Sequence, residues 1–253
     1  MKYLNYNFAE NSQIYWENKD NHYFISKNSI DEEYDVVIVG GGITGLSAAF
    51  HLNTDKKILI IDKNEIGYGG SNRNGGFCCL GGTKLSFKEI DEKYGRKDLE
   101  GFFNIQKSAI NLVEEILNKN ISIKNKGEIT YYYNSKQMHN DMRELEKYKT
   151  ILNVNFEKLS VSSLKQNRQL VRDTVGAIRM NYGFGLNPKD LVCNLINKIK
   201  ENSNVNFLEN ADVDNIKKND NKYEIEISKI KVKTKKLIIA TNGYLNKKHI
   251  SSR

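Results

Sequence analysis

Proline and cysteine are scarce in this chain, and no apolar run is long. One proline, Pro188, stands among 253 residues. That excludes a Pro-rich linker or a polyproline recognition segment. The three cysteines are Cys78, Cys79 and Cys193. Two adjacent thiols and a distant one form neither a disulfide framework nor a zinc-ligand spacing, so no metal site is expected. No stretch approaches the roughly 20 apolar residues of a membrane span. The first 16 residues are polar and aromatic, without the apolar core of a secretory signal. The expected compartment is therefore the cytoplasm, where the sequon Asn120-Ile121-Ser122 has no meaning.

Clustered positive charge is also missing. The formal net charge is +8, but it comes mainly from lysines scattered among asparagines and isoleucines. Only short pairs occur, such as Lys56-Lys57 and Lys247-Lys248, and no arginine-rich stripe interleaves with aromatics. The charge reads as solvated faces, and no nucleic-acid partner is expected. With 39% hydrophobic and 28% charged residues the chain is globular and polar, long enough for one large or two modest domains.

What is present begins with Val36 to Val39, a continuous apolar run suited to a strand buried on both faces. Three glycines follow, and then Leu46, Ala49 and Phe50 at helical spacing. Gly40, Gly42 and Gly45 fit G-x-G-x-x-G between a strand and a helix. In that motif the first glycine permits the tight turn, the second lets backbone approach a pyrophosphate, and the third lets helix and strand pack closely. The helix N-terminus then offers unpaired N–H groups and the positive end of its dipole to phosphates. A second strand, Ile58 to Ile61, ends in Asp62, 22 residues after Gly40. A carboxylate at that distance suits ribose hydroxyls.

The next stretch, residues 63–83, has seven glycines in 21 residues. It suits neither helix nor strand, and its backbone can run against a flat ligand. Ser71, Asn72 and Asn74 offer short hydrogen-bonding side chains, and Arg73 a rigid cationic fork. Phe77, Cys78, Cys79 and Leu80 want burial, and the two cysteines read as packing residues rather than nucleophiles or attachment points for a cofactor.

Together, Gly40 to Gly45, Asp62 and the run Gly69-Gly70-Ser71-Asn72-Arg73-Asn74-Gly75-Gly76 resemble the FAD-dependent D-amino-acid-oxidase superfamily. The resemblance is to the branch of gamma-glutamylputrescine oxidoreductase and sarcosine or glycine oxidase-like enzymes. Members carry Gly-x-Ser-Gly-Arg-Asn-Gly-Gly, from which this chain departs at Asn72, where glycine is usual, and at Gly70, while Arg73 to Gly76 is intact. A strand ending in Ala240-Thr241-Asn242-Gly243 supplies a second signature in the order the family has it.

Further elements are legible between these signatures. Residues 86–119 read as helical, with an apolar stripe of Phe102, Ile105, Ala109, Leu112 and Ile116. Glu128 to Tyr133 and Val175 to Met180 read as strands, the second ending near Tyr182-Gly183-Phe184-Gly185, with a polar helix around Met138 to Leu152. Tyr131, Tyr133 and Tyr182 are candidates for substrate contact, though packing is the commoner role of strand aromatics. Asn187-Pro188-Lys189-Asp190 is a helix start, with a capping side chain, proline at the first position and an acid in the first turn. Val205 to Leu208, with Val213, reads as β structure. Tyr223 to Ile227 and Ile230 to Val232 form a hairpin about Ser228-Lys229, and Leu237 to Ala240 is a buried strand.

The expected fold class is α/β: a Rossmann-like FAD-binding domain with a parallel sheet and a β-meander, plus part of an α+β substrate domain. The expected boundaries are an N-terminal arm at 1–33, the FAD-binding domain at 34–85 and 187–253, and a partial substrate domain at 86–186. Tyr15, Trp16, Tyr23 and Phe24 of the arm are expected to dock on the body.

The resemblance implies FAD as cofactor and an amine or amino acid as substrate, oxidised by hydride transfer to the flavin. It places Gly40, Gly42, Ile43, Thr44 and Gly45 at the pyrophosphate and Asp62 with Lys63 at the adenosine ribose. Gly70, Ser71, Arg73, Asn74, Gly75, Gly76 and Phe77 follow the ribityl chain and ring, and Val213 reaches adenine through its backbone. It assigns no catalytic residue, because the family's substrate-orienting groups mostly lie beyond the position of Arg253. That shortfall implies a split or truncated gene, or a second polypeptide supplying the rest, and a non-catalytic fragment is the alternative reading. An NAD-dependent dehydrogenase would share the glycine motif but has no account of Arg73 to Gly76 or of Ala240 to Gly243.

Overall fold

The computed structural model describes residues 15–16, 29–52, 55–117, 124–201, 204–244 and 250–251. In chain order its elements are β1 (Glu33–Val39), α1 (Ile43–Leu52), β2 (Ile58–Ile61), β3 (Phe77–Cys78), α2 (Phe87–Tyr94), α3 (Arg96–Ile116), β4 (Lys124–Tyr132), α4 (Ser135–Leu152), β5 (Phe156–Leu159), α5 (Val161–Gln166), β6 (Gly176–Gly185), α6 (Pro188–Lys200), β7 (Val205–Leu208), β8 (Asn215–Asn219), β9 (Lys222–Ile227), β10 (Ile230–Ile239) and β11 (Ile250–Ser251). They divide between two compact units, residues 1–75 with 187–253, and residues 76–186. The division falls between 75 and 76 rather than 85 and 86. The strand β3 accounts for the difference, because Phe77 and Cys78 pair with Gly185 and Phe184 of β6 and draw the chain into the second unit.

The first unit is a seven-stranded sheet in the order β11-β8-β9-β10-β1-β2-β7. Strands β10, β1, β2 and β7 run parallel, while β8, β9 and β10 form an antiparallel meander. Central position explains the apolar runs: all four residues of β2 are buried, as are Val36 to Val39 of β1. On one face Val37, Val39, Leu59 and Ile61 meet Val213, Ile216, Ile225, Ile227 and Val232. Helices α1 and α6 pack on each other, burying Leu46 and Ala49 of the first and Leu191, Leu195, Ile196 and Ile199 of the second.

Local chemistry sets the ends of these elements. The Asn187 side chain accepts from Lys189 N–H (2.9 Å) and Pro188 opens α6, as the sequence implied. The hairpin of β9 and β10 turns at Ser228, with φ +51°, where Asp214 Oδ2 accepts the Ser228 N–H (2.6 Å). Two expectations change in this unit. The strand ending at Ala240 is not buried: Leu237 and Ile238 are half-buried and Ile239 is exposed. Leu237 still packs on the core. Val213 is buried yet lies in the loop between β7 and β8, held by packing rather than by a strand ladder.

The second unit has β6 at its centre, with β4 along one edge and β3 and β5 on the other. Strand β6 runs past Met180 and ends in the expected stretch Tyr182-Gly183-Phe184-Gly185, because β3 and β4 both pair with that extension. Gly183 permits the pairing: its φ is +88°, and a Cβ there would lie 2.5 Å from the Cys78 carbonyl oxygen. The helical stretch from residue 86 is two helices, divided at Gly95 (φ +91°). A reciprocal box between Ser86 and Glu89 caps the first.

The apolar stripe of α3 agrees with expectation at Ile116, which is buried, and at Phe102 and Leu112, which are half-buried, and differs at Ile105 and Ala109. Leu99, Phe103, Ile110 and Ile116 face inward, with Phe103 edge-on to Phe87 (5.0 Å). Ile105 is 71% exposed and Ala109 lies outside as well. Apolar residues surround this helix, so spacing alone allowed two faces, and the ring contact with Phe87 decides between them. Replacing Ile105→Lys is expected to change stability by less than about 0.5 kcal/mol, measured by thermal unfolding. A larger loss would restore the stripe through Ile105.

Candidate dinucleotide-binding site

The site is built where β1 ends and α1 begins. Gly40 takes φ +108°, and a Cβ there would lie 2.5 Å from the Ala240 carbonyl oxygen and 3.0 Å from Thr241 N. The tight turn is thus pressed against the end of β10, a neighbour made by the parallel pairing of β10 with β1. At Gly45 a Cβ would overlap the Gly40 carbonyl oxygen, so the helix starts directly above the strand end. At Gly42 it would come within 2.8 Å of Ser71 Oγ. The intervening Gly41, which the motif leaves free, is filled against by the Ile66 side chain.

Two side chains tie this turn to its surroundings. Asp62 Oδ2 accepts the Gly41 N–H (2.8 Å) and Oδ1 accepts the Asn64 N–H (2.9 Å). A carboxylate has about four acceptor positions, so two remain for further donors. Ser71 Oγ accepts the Ile43 N–H (2.8 Å), satisfying one of the free donors at the start of α1 from outside the helix.

The glycine-rich stretch is more ordered than its composition implied. Gly70 to Asn72 form a single 3-10 turn, closed by Asn74 Nδ2, which donates to the Ser71 carbonyl (2.8 Å) and the Gly70 carbonyl (3.3 Å). The Arg73 guanidinium lies 4.1 Å over the Tyr68 ring. Trp16 donates its indole N–H to the Asn74 carbonyl (2.8 Å), so this aromatic of the arm docks as expected. Tyr15 is exposed, and Tyr23 and Phe24 lie outside the described residues, as does the sequon at 120–122.

The expected site residues therefore do not all gather in one place. Gly40, Gly42, Ile43, Thr44, Gly45, Asp62 and Ser71 surround the turn, with Gly70, Arg73 and Asn74 beside it. Lys63 is exposed and reaches toward the Tyr244 ring (5.9 Å). Val213 sits in the core near Ala211, whose N–H donates to the Asp62 carbonyl (3.0 Å). Gly75 closes the first unit, while Gly76 and Phe77 open the second. Phe77 is 82% exposed, against expectation, because a two-residue edge strand leaves its ring no facing layer in that unit.

Three side chains that the sequence places in its two signature segments share a property that no sequence pattern carries. Among the described residues, the buried side-chain polar atoms without a hydrogen-bond partner are Asn72 Oδ1, Arg73 Nη1 and Thr241 Oγ1. All three belong to the two segments that flank the glycine turn. Buried polar atoms are nearly always paired, so such a concentration marks a place where a polar ligand completes the bonding. The departure from the family's glycine at Asn72 was the available signal. Glu209 went unnoticed: it accepts the Ile66 N–H (2.7 Å), and burial raises its pKa, with the Ile66 N–H acting against that and Glu65 and Asp62 adding to it.

Two of the three tyrosines that were candidates for substrate contact have hydrogen-bond partners within the second unit. Tyr131 donates to the Gln169 carbonyl (2.9 Å) and Tyr182 to Asn111 Oδ1 (2.8 Å), while Tyr133 is exposed. Burial, reinforced by Cys79 and Glu114, pushes the Cys78 thiol up from 9.0 to about 11. Burial raises Cys79 and Cys193 too. The thiolate is the reactive form, so at pH 8 native Cys78 is expected to alkylate about a hundredfold more slowly than an unshifted thiol. Iodoacetamide labelling followed by peptide mass analysis checks this, with the urea-unfolded chain as reference. Among the described residues no group of three His, Cys, Asp or Glu side chains could hold a metal ion, and no helix is long and apolar enough to cross a membrane.

Comparison with known proteins bears on the same residues. A probable oxidoreductase OrdL of Haemophilus influenzae is 27% identical over 246 residues, covering 92% of this chain and 56% of that protein. Gamma-glutamylputrescine oxidoreductase of Escherichia coli is 26% identical over 218 residues, covering 85% of this chain and 50% of that protein. The chain thus spans about half the length of the curated relatives it matches. The crystal structure of glycine oxidase from Geobacillus kaustophilus superposes with a TM-score of 0.67 at 19% identity, over 83% of this chain and 56% of that one. The family described as DAO, FAD dependent oxidoreductase, matches residues 35–251. That span takes in both the glycine turn and the end of β10, and the chain belongs to the DAO family of FAD-dependent oxidoreductases.

Proposed function

We propose that this chain binds FAD and serves a flavoenzyme that oxidises an amine or amino acid, with hydride passing from the carbon beside nitrogen to the flavin. The observation that carries the reading is the set of unsatisfied buried atoms, Asn72 Oδ1, Arg73 Nη1 and Thr241 Oγ1, around a turn that side chains would fill. Those atoms offer two acceptors and a cationic donor, which suits a ligand bearing hydroxyls and negatively charged phosphates. The family supports the cofactor, and the relatives named for glutamylputrescine and for glycine support the substrate class.

In this reading the N–H groups of Gly42, Thr44 and Gly45 and the positive end of α1 hold the diphosphate, beside Ile43, whose N–H Ser71 accepts. The two acceptor positions left on Asp62, with the ammonium of Lys63, orient the adenosine ribose. The backbone beside Val213 borders the adenine. Residues 70–77 follow the ribityl chain and ring, with Arg73 supplying positive charge. FAD itself supplies the two-electron acceptor; the chain supplies binding, orientation and charge. We assign no substrate-contacting residue of this chain, and leave the substrate side to be completed. A second reading, supported by the half-length coverage, is that a further polypeptide completes it.

The test is the visible spectrum of the purified chain before and after anaerobic addition of amines and amino acids. Bound flavin bleached by at least one of them is the expected result. Bound flavin that no amine reduces would favour the second reading. Failure to take up FAD would overturn the proposal.

A further inference from the structure

The turn at 70–74 is fixed from beneath by Ser71 on the Ile43 N–H. It is fixed from within by Asn74 on the carbonyls of Ser71 and Gly70 and by the Arg73 N–H on Gly70 (3.2 Å). Its outer side has no such packing: a Cβ built on Gly69 or Gly70 would meet nothing within 4 Å. Helix α6 packs against the turn, where Asn72 is buried, and at Asn74 Trp16 meets it, its indole N–H donating to the Asn74 carbonyl at 2.8 Å across 58 positions. The indole is half-buried, with Tyr15 edge-on to it at 4.9 Å.

We propose that Trp16 is a positioning residue, whose indole holds the outer side of this turn and keeps Ser71 and Arg73 ready for the cofactor. The inference rests on the FAD reading above. Segments with few buried contacts open locally at low free energy, so one long-range hydrogen bond has leverage there. Trp is a donor only, and the acceptor it serves is a main-chain carbonyl, so the contact fixes backbone rather than a side chain. The Asn74 carbonyl lies one residue beyond Arg73, and displacement at one end of so short a turn is transmitted to the other.

The experiment compares wild type, Trp16→Phe and Trp16→Ala in the full chain, with two readouts. Amide exchange in the flavin-free protein reports the turn, at Arg73 and at Ile43. Titration with FAD reports affinity. Losing one hydrogen bond is expected to raise exchange at both amides and to weaken FAD binding about threefold to tenfold, with the melting midpoint of the flavin-free chain unchanged. Both variants should behave alike, because the N–H is what acts. If Trp16→Phe exchanges and binds as wild type does, Trp16 is reduced to packing and the proposal is overturned. A wild-type chain that takes up no FAD would overturn the cofactor reading and the role of Trp16 with it, whereas the exchange result alone would still show whether Trp16 holds the turn.

Discussion

Gly45→Ala is expected to destabilise the flavin-free protein by about 3 kcal/mol, the upper end for overpacking a tight site. Alanine is the better helix former by roughly 1 kcal/mol, so local propensity predicts the opposite sign. Packing overrides it because the new Cβ would overlap the Gly40 carbonyl oxygen and approach Ile38 Cγ2 to 3.2 Å. Ile38 is fully buried in the centre of the sheet and cannot yield without disturbing its neighbours. The helix must therefore rise off β1, and the N–H groups at its start move away from the phosphate position. Thermal unfolding should show a midpoint lower by roughly 6 to 12 °C, with FAD uptake lost in parallel. An unchanged midpoint would mean that α1 does not sit on Gly40 as described.

Arg73→Met should separate stability from binding. In the flavin-free protein Nη1 is buried without a partner while the guanidinium stacks over Tyr68. Removing a buried unpaired donor and retaining an apolar stem is expected to raise stability by about 1 kcal/mol. The same change should weaken FAD binding about a hundredfold, because a charge-assisted hydrogen bond is worth some 1.5–3 kcal/mol. Thermal unfolding without flavin and calorimetric titration with it give the two signs independently. A loss of stability would make Arg73 a strut against Tyr68. Unaltered affinity would turn its charge away from the cofactor.

Much of this was legible in order along the chain. The run Val36 to Val39, the glycines and the run Ile58 to Ile61 each fall within a single element, where a local pattern and its structural cause coincide. The start of α6 was legible for the same reason, since Asn187 and Pro188 act on their own backbone. The face of α3 was not legible. Its apolar residues allow two stripes, and the choice belongs to Phe87, a residue of another helix. Phe77 was misjudged for a related reason: hydrophobicity asks for burial, but the edge strand that carries it provides no opposing layer.

By itself the sequence determined a strand, a glycine turn and a helix, a carboxylate at the end of the second strand, and the family whose two signatures it carries. Tertiary structure alone decided which polar groups are left unsatisfied. Thr241 meets Gly40 only because β10 runs parallel beside β1, some 200 positions away in sequence. Asn72 and the Nη1 atom of Arg73 are buried in a turn that Ser71 ties to Ile43 and on which α6 packs. Periodicity and glycine spacing report what a segment does to its own backbone. A missing hydrogen bond is a property of everything packed around an atom, and no local pattern can record it.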